Sequence, residues 1–186
     1  SPVVGRVPHS KTVSSLKPVT TETCSGSGTV RIDDQTAANG TGTVILTYAA
    51  CVENGVRTDG EVRLEVAAYD LVQDQPTDFT AVFAGYTQSA GQFAIDIDGS
   101  VRTVITATTF TTTYDALSRY RPEGVQHRLQ NLVVQERALT GNTVAVTITG
   151  RFFHSAHGFV DVETRETLAV GISSGLASAG ILRLRN

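Results

Sequence analysis

The punctuation of this chain leaves no room for helices long enough to connect parallel strands. From Cys24 onward, turn-forming glycine and Asn-Gly or Asp-Gly pairs punctuate the chain: Gly26 and Gly28, Asn39-Gly40, Asn54-Gly55, Asp59-Gly60, Asp98-Gly99 and Thr140-Gly141-Asn142. Such pairs accept the positive φ of tight hairpin turns. Between them lie short alternating runs. In Glu61–Tyr69, Val62, Leu64 and Val66 fall on one side and Glu61, Arg63 and Glu65 on the other. That is the signature of a strand with one wet face, typical of antiparallel sheet.

Residue types agree. The 26 Thr, 23 Val and 8 Ile make 57 of 186 residues β-branched, stiff at χ1 and suited to a pleated surface. Further strands are expected over Thr29–Asp33, Thr43–Tyr48, Phe79–Tyr86, Gln92–Ile97, Val101–Thr113, Gln126–Arg137, Thr143–Phe153, Gly158–Thr164 and Ile181–Arg185. The longest interruption is expected over residues 114–125, with a short helical turn at Asp115–Arg119 ahead of Pro122. The expected fold class is all-β: an antiparallel meander of about ten strands, curled into a barrel or sandwich. Gly85, Gly150 and Gly158, in or beside strands, are expected bend or bulge sites.

Residues 1–23 differ from the rest, holding three of the five Pro and both Lys. They are assigned to an extended N-terminal arm, and residues 24–186 to a single β-domain. Pro2, Pro8 and Pro18 break any helix, whereas Val3, Val4, Val7, Val13, Leu16 and Val19 are apolar anchors suited to an extended segment on a sheet edge. An extended 23-residue arm spans up to about 75 Å. The arm therefore predicts self-association, with pairing between molecules preferred over pairing within one.

Charge and composition exclude other classes. A net charge of −3 gives a nucleic-acid partner no electrostatic support, and no run of apolar residues approaches a membrane-spanning helix. The two cysteines, Cys24 and Cys51, have no zinc or haem spacing. A disulfide between them would enclose about 28 residues and stabilise by about 3–4 kcal/mol. The alternative is a pair of buried, reduced thiols. A disulfide favours export, to the cell surface, the medium or a periplasm. The absence of Met adds the expectation of a leader removed before Ser1.

Motifs for chemistry are sparse. His154-Ser-Ala-His157, with Asp161 and Glu163 following, has a metal-like spacing but is taken as a polar turn between strands, so no metal or cofactor is assigned. Asp33-Asp34 and Asp96 with Asp98 lack the run of ligands of a calcium loop. No G-x-S-x-G elbow is present, and Glu61, Glu65, Glu163 and Glu166 sit where a solvated face is expected, so no catalytic residue is assigned. Tyr114, Arg119, Tyr120 and Arg121 are the candidate recognition loop, because Tyr and Arg favour interfaces. A cavity lined by Phe79, Phe83, Phe93 and Phe152 would instead suit a binding module for an apolar ligand or glycan.

Three stretches carry a resemblance: Cys24–Asp34, Gly42–Cys51 and Gly55–Val62. With Gly158–Thr164 and Ser178–Leu182, they resemble exported bacterial β-rich, lipoprotein-like proteins of unknown function. The resemblance runs loosely over residues 24–186. It implies an antiparallel β-domain, a Cys24–Cys51 disulfide and a cell-envelope or secreted location, and no known activity. Together these features predict a non-enzymatic structural β-domain, a subunit of an extracellular fibre or surface assembly joined by its arm.

Overall fold

The structure is a computed structural model, and it describes residues 17–139, 142–172 and 175–186. The strands are β1 (Thr20–Thr23), β2 (Ser27–Asp34), β3 (Gly42–Glu53), β4 (Val56–Asp70), β5 (Gln75–Ala90), β6 (Phe93–Ile105), β7 (Thr109–Arg121), β8 (Gln126–Ala138), β9 (Thr143–His154), β10 (Gly158–Gly171) and β11 (Ala177–Arg185). They form one antiparallel sheet in sequence order from β1 to β11. The meander is as expected, with eleven strands, the first of them built from residues 20–23 that sequence placed in the arm. The sheet does not close: among the described residues no pairing joins β1 to β11.

Two expectations fail. Residues 114–121, placed in a loop with a helical turn, continue β7, and the reversal is confined to Pro122–Val125. Tyr114 and Ala116 make strand partners with Val101 and Gly99 of β6, which outweighs the local turn signal. Asp59-Gly60 and Asp98-Gly99, read as hairpin turns, lie inside β4 and β6.

Both Asp-Gly pairs answer a β-bulge on the neighbouring strand. Between Tyr48 and Cys51, β3 carries two residues against the single Asp59 of β4. Between Phe83 and Tyr86, β5 carries two against the single Asp98 of β6. β8 repeats this at Gln130–Val133, against Gly150 of β9. Ala50, Gly85 and Asn131 take the left-handed conformation, at φ 49°, 55° and 47°. The aspartates satisfy the displaced amides: Ala50 N–H donates to Asp59 Oδ1 at 2.7 Å, and Gly85 N–H to Asp98 Oδ1 at 2.8 Å. The glycines then let a neighbouring strand's backbone close in. A Cβ on Gly99 would overlap the Asp115 carbonyl oxygen, and one on Gly150 the Asn131 carbonyl oxygen, at φ 120° and 136°. The same feature that suits Asp-Gly to a turn, tolerance of positive φ beside a short acceptor, suits it to this position. Bulged β3, β5, β8 and β10 thus face Asp59, Asp98, Gly150 and Gly180, and a crease crosses the sheet. Gly85 and Gly150 mark it as sequence anticipated, whereas Gly158 opens β10 after a turn.

The two faces differ chemically. On one, cross-strand rows run Ile32–Leu46–Val62–Phe83 and Val44–Leu64–Ala81–Val101–Tyr114–Leu132. A third row passes through Thr103 and Thr112, directly opposed and both buried. Opposite lie ion pairs such as Arg102–Asp78 at 2.9 Å and Arg151–Asp161 at 2.7 Å. Exposed pairs of this kind contribute about 0–1 kcal/mol each. Val44, Val62, Ala145, Val146 and both cysteines are buried, but no described side chain is sealed off entirely. Cohesion therefore rests on the ladder and on many half-buried contacts.

The crease is testable by substitution. Gly99→Ala and Gly150→Ala are expected to cost at least about 3 kcal/mol each, by clash plus strain. Gly55→Ala and Gly91→Ala also hold positive φ but meet nothing within 4 Å, so about 1 kcal/mol is expected. Denaturant melts of the four variants separate the two groups; equal losses would show that the close approach is unimportant.

Candidate functional site

The residues singled out by sequence fall into four places. The first is the disulfide. Cys24 and Cys51 are joined, with Cα atoms 5.5 Å apart. The short turn before β2 is thereby stapled to the bulged end of β3. It is reinforced by Cys24 N–H donating to the Gly28 carbonyl at 3.1 Å and Gly26 N–H to the Val52 carbonyl at 2.8 Å. Cys51 pairs with Thr58 of β4, and all three residues are buried.

The second is the pair of sheet edges. β1 is exposed throughout and β11 is exposed at all nine positions, including Ile181, Leu182 and Leu184. β11 pairs irregularly with β10, and among the described residues no strand pairs with its other side. An edge offering backbone donors and acceptors together with apolar side chains is a template for strand addition. At the β1 end, Lys17 Nζ lies 2.6 Å from Asp34 Oδ2 and 2.7 Å from Thr36 Oγ1, tying the residues before β1 to the end of β2. Burial of Asp34 works against its ionisation, but Lys17 and the hydrogen bonds from Thr36 outweigh it and hold the carboxyl below the usual range. Of the arm anchors, Val19 is exposed; Val3, Val4, Val7, Val13 and Leu16 lie outside the described residues.

The third is the Tyr–Arg stretch, which is strand rather than loop. Alternation along an unbulged β6–β7 ladder puts Tyr114 and Tyr120 on the apolar face and Arg119 and Arg121 on the other, so the four do not form one cluster. Tyr114 is half-buried between Val101 and Leu132. Arg121 Nη2 donates to Asp96 Oδ1 at 2.8 Å. The Arg119 guanidinium donates to the Gln126 side-chain oxygen at 3.0 Å once that amide is oriented to accept.

In the fourth, spacing joined His154 to His157 in sequence, but His127 was not legible as their neighbour. His127 of β8 lies directly opposite His154 of β9, with ring centroids 4.9 Å apart. His157, in the following turn, stacks on His154 at 4.6 Å. Tyr120 and Phe152 each lie 5.4 Å from the His127 ring. Asp161 and Glu163, grouped with these histidines by spacing alone, point to the opposite face and pair with Arg151, Arg165 and Arg185. The acidic pairs weighed for calcium are likewise engaged: Asp34 by Lys17 and Thr36, Asp96 by Arg121, Asp98 by the Gly85 amide.

Two surface depressions are lined by Gly42, Glu65, Asp78 and Arg102 among others, and by Tyr69, Leu71, Thr77 and Ile105 among others. Phe79, Phe83, Phe93 and Phe152 line neither, and Phe93 is 72% exposed at a turn. Comparison with protein-family models, curated proteins and solved structures gives no match.

Two predictions concern the anchors. Replacing Cys24 and Cys51 together by Ala is expected to lower unfolding free energy by about 3–4 kcal/mol, and thiol alkylation of the native protein without reductant should label neither cysteine. Because the folded pKa of Asp34 is depressed, its stabilisation is present above about pH 4 and lost as pH falls through the folded value. Thermal melts between pH 5 and 2 should therefore show a smaller acid-induced loss in Asp34→Asn than in the parent.

Proposed function

We propose that this protein is a non-enzymatic, exported structural β-domain that self-assembles by strand addition. In this reading the N-terminal arm of one copy pairs with the β11 edge of the next. The observation that carries it is β11, an edge strand with every residue exposed and Ile181, Leu182 and Leu184 presented to solvent. The arm enters the sheet through β1, at the opposite end of the strand order. Donor and acceptor edges at opposite ends of an unclosed sheet make a head-to-tail contact, which propagates rather than closing on a pair. The joint is a ladder of main-chain hydrogen bonds, with arm side chains meeting the apolar residues of β11.

The disulfide supports an oxidising destination, a cell surface, the medium or a periplasm. Export also accords with the resemblance to exported bacterial β-rich proteins. No described helix is long and apolar enough to cross a membrane.

Deleting residues 1–19 tests the reading. The truncated chain is expected to keep the parent's far-UV spectrum and its disulfide, and to sediment as a monomer at concentrations where the full chain forms larger species. Leu182→Lys with Leu184→Lys, which charges the acceptor edge, should have the same effect. Assembly by the truncated chain, or a full chain monomeric at every concentration, rejects the proposal.

A further inference from the structure

We infer that His127, His154 and His157 form a surface site for a divalent transition-metal cation of the zinc, nickel or copper type. The chain has four histidines, and three of them meet here. The concentration arises from the fold. β8 and β9 pair in a register that sets His127 directly against His154, and the β9–β10 turn brings His157 back over His154. The fourth, His9, lies outside the described residues.

Ring spacing brings the imidazoles within reach of one ion, and the stacked His154 and His157, 30° apart in plane, must turn for both to point a nitrogen at it. Two imidazoles on one ion, each with a metal–nitrogen bond of about 2.0–2.1 Å, hold their centroids about 4.5 Å apart at a right angle and about 5.2 Å apart at the tetrahedral angle. The observed separations are 4.9 Å for His127–His154 and 4.6 Å for His154–His157. His154 is the shared member of both pairs. Imidazole is the ligand type that selects zinc, copper and nickel over calcium or magnesium. No carboxylate joins the group, because Asp161 and Glu163 face the other side of the sheet.

The ligand atoms do not stand in a closed three-nitrogen cage. His154 Nδ1 accepts a hydrogen bond from the Ala156 amide at 3.0 Å, which places its proton on Nε2. To ligate through Nε2, His154 transfers that proton to Nδ1 and releases Ala156, and His157 follows within a turn of exposed residues. His127 is held more firmly, between Tyr120 and Phe152. Among the described residues, the cluster with three ligand atoms close together is Cys24, Cys51 and Glu53; its sulfurs are bonded to each other and take no metal while oxidised.

The test is calorimetric titration of the oxidised full chain with zinc and, separately, nickel, paired with proton NMR of the imidazoles. One ion per chain is expected. Addition of nickel should broaden the His127, His154 and His157 ring resonances together and leave His9 sharp. His154→Ala is expected to weaken binding most, by at least about tenfold, with smaller losses for His127→Ala and His157→Ala. The far-UV spectrum of each variant shows whether the fold is kept, and His9→Ala is the control. Absence of binding in the parent chain overturns the inference. So does binding that survives the His127→Ala, His154→Ala double variant, or binding lost with His9→Ala.

Discussion

The close approach of backbone to backbone along the bulge line governs this molecule. At Gly99 and Gly150 a neighbouring carbonyl occupies the space where a Cβ would project, at φ values an L side chain rarely adopts. Each bulge inserts one residue, bends its strand and increases the local twist. Repeated on β3, β5 and β8, the bends fall in register and become one crease rather than isolated defects. Between the creased regions, β6 and β7 run unbroken for twelve paired positions, from Ala94–Arg121 to Ile105–Phe110. Asp59 and Asp98 make the bulges affordable by accepting the amides that the ladder leaves unpaired.

A single unclosed sheet carries consequences for both stability and partnership. Its apolar face gathers the cross-strand rows, and its other face balances carboxylates against arginines from neighbouring strands. Because most apolar side chains remain half-buried, no single core contact dominates. The Cys24–Cys51 bond is then a large individual contributor, closing a loop of about 28 residues in the denatured chain. Unclosed sheets also keep two edges. β1 is short and backed by the Lys17–Asp34 pair, whereas β11 is longer and exposed at all nine positions, Ile181, Leu182 and Leu184 among them. That asymmetry suits a donor end and an acceptor end.

The histidine trio and the dispersed Tyr–Arg stretch show register working in opposite directions. Spacing suggested that Tyr114, Arg119, Tyr120 and Arg121 acted together, but a strand sends neighbours to opposite faces and separates them. Spacing gave His127 no connection to His154, 27 positions away, and pairing across β8 and β9 sets them side by side. Locating that contact from sequence requires the bulge at Asn131, since a one-residue slip moves a side chain to the other face.

Alone, the sequence determined the class of fold, its antiparallel meander order and the two-sided chemistry of strands such as Glu61–Tyr69. Those properties depend on side-chain shape and on a period of two, both local. It also supplied Gly85 and Gly150 as sites of bending, since a glycine within a strand has few other uses. Only the tertiary structure decided that Asp59-Gly60 and Asp98-Gly99 answer bulges instead of making turns, because positive φ is demanded equally by both and the choice lies with the neighbouring strand. It likewise decided that residues 114–121 extend β7, where a complete ladder to Val101 and its neighbours outweighs local turn propensity. The unclosed edges were decided there too: closure depends on accumulated twist and bend across eleven strands, and no short stretch of sequence encodes that sum.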